Sequence, residues 1–180
     1  MTRRCANGWP ALEADSKLLH TWIIDGASGV TRLRMRNGSV GFCLGHLALG
    51  FDRRVEGLVE PLLDDWSWAF RAIRGYEAAG ILSNHAGYAI DLNATDHPLG
   101  VPVRDTFSAE EIKVIRHIVD RYDGVITWGG EWSRPDGMHF EISEGAEMGD
   151  VERVARRLMD TPTGDRLLGA NPGQRAVILS

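Results

Sequence analysis

The chain contains only two cysteines, Cys5 and Cys43. Two thiols cannot build a cysteine-rich zinc site, so any metal must rest on histidine and carboxylate. A disulfide framework is excluded as well. Cys5 lies in a terminal segment and Cys43 in an apolar helical stretch, and nothing beyond bare feasibility recommends a bridge between them. No apolar run approaches the ~18 residues needed to span a bilayer, and the basic segment Met1–Pro10 lacks the apolar core of a secretory signal. Membrane insertion is therefore not expected, and no export signal is seen. Positive charge is also short. With 20 Lys and Arg against 25 Asp and Glu the net charge is -5, which gives nucleic acid no general basic field to bind. The local exception, Arg32-Leu33-Arg34-Met35-Arg36, alternates with apolar residues and reads as a strand with a solvated face. Internal repeats and low-complexity tracts are absent.

What is present suits one globular unit. A chain of 180 residues, 43% hydrophobic and 25% charged, can bury roughly 70% of its unfolded surface. Thr21–Ile24 and Thr31–Met35 read as strands, with a turn at Asn37-Gly38. Val40, Leu44, Leu47, Phe51, Val55 and Leu58 fall on one helical face, although Gly41, Gly45 and Gly50 weaken that helix. A second helix is announced by Ser108 and Glu111, which form a capping box ahead of Ile112, Ile115, Ile118, Val119 and Tyr122. Val125–Trp128 reads as a short strand and Gly129-Gly130 as a turn. Asp150 can cap a third helix with Val151, Val154, Ala155, Leu158 and Met159 on its apolar face. Residues 1–160 are expected to form a single domain. Residues 161–180, with Pro162, Gly164, Gly169, Pro172 and Gly173, are expected to be a tail or small appendage.

Two segments carry chemistry. In Ser83–Asn93 the apolar residues Tyr88, Ile90 and Leu92 alternate with Ala89, Asp91 and Asn93; in Pro135–Ile142 the apolar residues Met138, Phe140 and Ile142 alternate with His139 and Glu141. As strands of one sheet they would bury one face and present Asp91 and His139 together on the other. His85 cannot lie on a straight continuation, because six extended residues span about 20 Å. The chain must bend near Ala86-Gly87, where glycine makes a bend cheap. Two histidines and a carboxylate are a common protein ligand set for catalytic zinc, and Asp136, three residues before His139, can sit beside it as a base. Singly, each residue has a plainer reading: Asp136 as a turn residue in Pro135-Asp136-Gly137, a lone histidine as a hydrogen-bonded structural group. Only the combination is specific. Histidines 20, 46, 97 and 117 have no such context.

These residues resemble a known family. Ser83, His85, Gly87, Ala89 and Asp91, followed by Asp136 and His139, match the Ser-x-His-x-x-Gly-x-Ala-x-Asp and Asp/Glu-x-x-His motifs of the zinc peptidoglycan peptidases. That family includes D-alanyl-D-alanine carboxypeptidases, dipeptidases and phage-type L-alanyl-D-glutamate endopeptidases. Trp128-Gly129-Gly130-Glu131-Trp132 and Phe70-Arg71-Ala72-Ile73-Arg74-Gly75 are similar to segments of the endopeptidase branch. The resemblance covers roughly residues 20 to 145. One departure stands out: the family's glycine usually stands three positions after the histidine, not two, so His85 to Asp91 is one residue short, with the deletion in the bend.

The resemblance implies an α+β fold of the hedgehog/DD-peptidase type, in which a small antiparallel sheet carries the zinc site and packs against helices. It implies Zn2+ held by His85, Asp91 and His139, with Asp136 as general base and Arg71 steadying substrate and developing oxyanion. Ser83 and Arg74 would contact substrate, and Glu141 would support His139. The implied activity is hydrolysis of an amide bond in the stem peptide of bacterial peptidoglycan, between L-Ala and D-Glu, by a monomeric endolysin held in the host cytoplasm until lysis. Two alternatives stay open: a D-Ala-D-Ala carboxypeptidase, and a non-catalytic zinc-stabilised binding domain of the same fold.

Overall fold

The computed structural model describes residues 3–59, 63–73 and 79–180. Strands β1 (Leu19–Asp25) and β2 (Val30–Arg36) form an antiparallel hairpin, with Trp22 opposite Leu33 and Ile24 opposite Thr31. Period-two alternation places Trp22, Ile24, Leu33 and Met35 in the core and leaves the arginines on the other side. One of these, Arg34, lies over the Trp68 ring at 4.7 Å.

Helix α1 (Ser39–Arg54) follows and is buried almost all round, packed by the hairpin and four other helices. Its glycines are close-approach points. A side chain at Gly41 would collide with the Trp22 indole and the Arg36 carbonyl, so the residue that weakens the isolated helix lets it seat against the hairpin. Helix α2 (Ala109–Asp120) begins with the expected capping box, in which the Ser108 hydroxyl accepts from the Glu111 N–H and the Glu111 carboxylate accepts from the Ser108 N–H.

The second sheet has the order β3–β5–β4, all antiparallel, from β3 (Ala89–Asp91), β4 (Ile126–Trp128) and β5 (His139–Ile142). One face of it joins the main core through Tyr88, Ile90, Phe140 and Ile142. Small antiparallel sheets packed against helices make the fold α+β. Helix α3 (Met148–Leu158) starts three residues earlier than the sequence suggests: Glu147 occupies the cap position and Asp150 sits in the first turn, where its charge favours the helix N-terminus.

Residues 161–180, expected as a tail, form α4 (Pro162–Ala170) and α5 (Gln174–Leu179). Leu167, Leu168 and Ile178 are part of the core, and α4 packs against α1 and β1. Asn171 fastens this unit to the hairpin, its side chain accepting from the Ile23 N–H and donating to the Ile23 carbonyl, both at 2.8 Å. Both cysteines are buried free thiols. Among the described residues, no helix is long and apolar enough to cross a membrane.

Candidate metal centre

The register of the second sheet decides the site. Asp91 on β3 faces His139 on β5 as a directly paired residue, so their side chains share the face turned away from the core. Ahead of β3 the chain folds through a turn at residues 84–87, with the Ala86 N–H bonded to the Ser83 carbonyl and the Tyr88 N–H to the Asn84 carbonyl. Gly87 has φ 118°, and Leu12 packs where its side chain would be, so this position requires glycine. The turn swings His85 back over the sheet, and its Nε2 stands 3.1 Å from Oδ1 of Asp91. The shortened spacing is thus absorbed in the bend. The His85 and His139 rings lie 4.9 Å apart, nearly edge to face.

One ligand atom from each of His85, Asp91 and His139 falls within 4.8 Å of the others, and this is the one such group found among the described residues. His85 Nε2 is buried and, despite its nearness to Asp91, makes no hydrogen bond of acceptable geometry. A buried nitrogen left without a partner, in a cluster of two imidazoles and a carboxylate, fits a zinc ion by donor type and number.

The surrounding groups select which nitrogen is free. Ser83 Oγ lies 3.0 Å from His85 Nδ1, which leaves Nε2 as the nitrogen turned toward the cluster. The same logic applies to His139: Nε2 lies 2.8 Å from Glu141 Oε2, while Nδ1 lies 2.7 Å from Asp91 Oδ1. Burial would keep the metal-free His139 neutral, but carboxylates on both ring nitrogens push its pKa up to about 10. A metal ion held at this ring would do so in place of a proton. Burial would raise the Asp91 carboxyl, yet the His139 hydrogen bond and the nearness of both imidazoles hold it far below the usual carboxylate range.

Asp136 sits at the edge of this group. Its backbone makes the turn, accepting from the His139 N–H and donating to the Gly129 carbonyl. Gly129 must be small: a Cβ there would come 2.7 Å from the Asp136 carbonyl oxygen and 3.2 Å from the His139 Cβ. The Asp136 carboxyl is raised by burial and by the charge of Asp91, against the pull of His139. Its Oδ1 is buried without a hydrogen-bond partner among the described residues.

The other sequence candidates are placed differently. Ser83 is buried against His85. Arg71 is exposed on a segment that runs antiparallel to the His85 segment, its carbonyl accepting from the Ser83 N–H. Arg74 lies outside the described residues. Of the Trp-Gly-Gly-Glu-Trp segment, Trp128 is core and donates to the Gly137 carbonyl, and Trp132 is exposed 5.3 Å from the His139 ring. Trp66, also exposed, pairs its backbone with Asp91.

Three residues without sequence context support the site. His97 is buried, stacked on Phe107 at 3.5 Å and bonded through Nε2 to Glu56 at 2.7 Å; its Cβ packs behind Gly137 in the Asp136 turn. Asn84 and Asn7 are the other two. A motif position that tolerates many residues gives no signal for the first, and nothing local to the N-terminal segment marks the second.

Residues 77–142 match the model of a family described as D-alanyl-D-alanine carboxypeptidase. This span contains His85, Asp91, Asp136 and His139, and the match supports a peptidase. No curated protein and no solved structure matches the chain.

Proposed function

We propose that the protein is a zinc-dependent peptidase acting on bacterial peptidoglycan, cutting the stem peptide between L-Ala and D-Glu as a phage-type endolysin. The observation that carries this reading is the convergence of His85, Asp91 and His139 within 4.8 Å, beside the unpartnered buried Oδ1 of Asp136. His85 Nε2, an Asp91 oxygen and His139 Nδ1 would hold the zinc. Bound there, it would acidify a water and polarise the scissile carbonyl. Asp136 takes the proton of the attacking water and returns it to the leaving amine nitrogen, a role worth roughly 10²–10⁴-fold. Its unpartnered oxygen is free to accept that proton. Arg71, exposed on the segment whose backbone pairs with Ser83, steadies a substrate carboxylate or the developing oxyanion, with Arg74 assigned a similar contact from the sequence. Ser83 serves by orienting His85. The exposed Trp132, 5.3 Å from the His139 ring, and Trp66, paired through its backbone with Asp91, offer apolar surface to the stem peptide. The enzyme acts as a monomer, stored in the host cytoplasm and reaching the wall at lysis.

A second reading is favoured by the description of the matching family, namely removal of the terminal D-Ala by a carboxypeptidase. Digestion of purified peptidoglycan, with labelling of newly exposed amino termini, separates the two. New D-Glu amino termini support the endopeptidase. Release of free D-Ala alone overturns it in favour of the carboxypeptidase. Elemental analysis of the same protein should find about one zinc, and undiminished zinc in His139→Ala would sink the ligand assignment. A zinc-loaded protein that cuts neither bond would be a binding domain.

A further inference from the structure

The N-terminal segment lies outside the residues that match the family, yet it wraps the metal centre. Its backbone clamps the His85 segment on both sides of the bend: the Ala6 N–H donates to the Leu82 carbonyl, the Leu82 N–H to the Arg4 carbonyl, and the Leu12 N–H to the Ala86 carbonyl. Between these clamps stands Asn7, buried at 4% exposure. Its N–H donates to Asn84 Oδ1 at 2.9 Å, and its side-chain amide donates to the Ile142 carbonyl at 3.0 Å, at the end of β5. Asn84, also buried, donates from Nδ2 to Glu141 Oε2 at 2.6 Å. That same oxygen faces His139 Nε2 at 2.8 Å.

The donor sense along this chain is forced. The Asn7 backbone nitrogen can only donate, so Asn84 must present its carbonyl oxygen to Asn7 and its amide to Glu141. Held by that amide, the Glu141 carboxylate accepts the Nε2–H of His139. The ring then turns Nδ1 toward Asp91 and His85.

We propose that Asn84, anchored by Asn7, is a positioning residue for the metal centre, acting through Glu141 to fix the orientation and tautomer in which His139 offers Nδ1 to zinc. This rests on the zinc reading above and adds to it that a segment beyond the family match completes the site. Groups in this position typically change metal affinity 10–100-fold when lost.

The test compares zinc affinity, by competition with a chromophoric chelator, and the visible spectrum of the cobalt-substituted protein, in the full-length wild type and two variants. Asn84→Leu keeps approximate size and removes both ends of the relay. Asn171→Leu makes the same change at a buried asparagine that bonds the Ile23 backbone outside the relay, and controls for general loosening. Asn84→Leu should bind zinc 10–100-fold more weakly, with an altered cobalt spectrum. Asn171→Leu should melt lower yet keep the wild-type zinc affinity and spectrum. Wild-type affinity in Asn84→Leu overturns the relay. So does an equal loss in Asn171→Leu, because the loss would then come from general loosening, which melting of the metal-free variants reads in parallel. Failure of the wild type itself to bind zinc would instead overturn the underlying function.

Discussion

Asp136 and Asp91 are neighbouring carboxylates whose surroundings pull them apart. Burial raises the first, while two imidazoles outweigh burial and depress the second. Such divergence separates a proton carrier from a ligand. Because the Asp136 turn is made by its backbone, removing the carboxylate should leave the turn standing. Asp136→Ala is therefore expected to keep its zinc and its melting temperature while losing 10²-fold or more in kcat/KM. Near-normal turnover would reduce Asp136 to the turn residue that Pro135-Asp136-Gly137 also spells. His46 makes a different prediction. The Thr161 hydroxyl donates to the Leu158 carbonyl, so His46 Nε2 must donate to Thr161 and Nδ1 must accept from the Tyr122 hydroxyl. Burial, aided by Arg121, lowers the His46 pKa to about 4. A folded-state value below the unfolded one means that the unfolded chain binds the extra proton first. Stability is therefore complete above about pH 6.5 and falls as pH drops from there toward 4, by roughly 3 kcal/mol across the window. His46→Gln, which can keep both hydrogen bonds, should lose less stability than wild type between pH 7 and 4.5 in urea titrations. Equal losses would show that His46 is not a source of acid sensitivity.

At the scale of elements, the sequence spelled out whatever is written in local periodicity. The hairpin, the apolar stripe of α1, the capping box of α2 and the alternation of β3 and β5 were all legible, because each depends on residues a few positions apart. That Asp91 and His139 share a face was legible too, since the alternation that buries Ile90 and Phe140 turns both to the other side; their direct pairing was not. Contacts between distant segments were not. Asn7 reaches Asn84 across 77 positions and Ile142 across 135, and His97 meets Glu56 across 41, with no local pattern to announce them. The structure also separates two kinds of element damage. Ser108→Ala removes the α2 cap, far from the metal residues in the chain, and should cost about 1 kcal/mol with unchanged zinc affinity. Gly129→Ala pushes a methyl group against the Asp136 carbonyl and the His139 Cβ, so stability should fall by roughly 1–3 kcal/mol and zinc affinity with it. Paired thermal melts and zinc titrations check both. If Gly129→Ala melts lower but binds zinc normally, the turn and the ligand are not mechanically joined.

For the whole molecule, the C-terminal twenty residues show why composition misled. Proline and glycine there read as breakers, yet each has a place that a helical unit needs. Pro162 occupies the first turn of α4 behind the Thr161 cap, where its missing N–H costs nothing. Gly164 lies so close to the Leu158 and Met159 carbonyls that no side chain fits. Gly173, at φ 89°, makes the left-handed step between α4 and α5. What α4 and α5 bury is large on the scale of folding. Leu167, Leu168 and Ile178 are each worth roughly 1.5–3 kcal/mol of apolar burial, and Gln174 accepts the Gly38 N–H at the start of α1. Total stability is about 5–15 kcal/mol for an ordinary domain, so losing this unit removes most of the margin. A chain ending at Asp160 would also expose β1 and the α1 face that Leu167 covers, in the region of Gly45. The truncated protein is expected to lose its cooperative thermal transition at 37 °C and, with it, zinc binding, since His85 and His139 reach one another only through the folded sheet. Circular dichroism and zinc titration of the truncated protein measure this directly, and a wild-type melting temperature would make residues 161–180 dispensable to the domain.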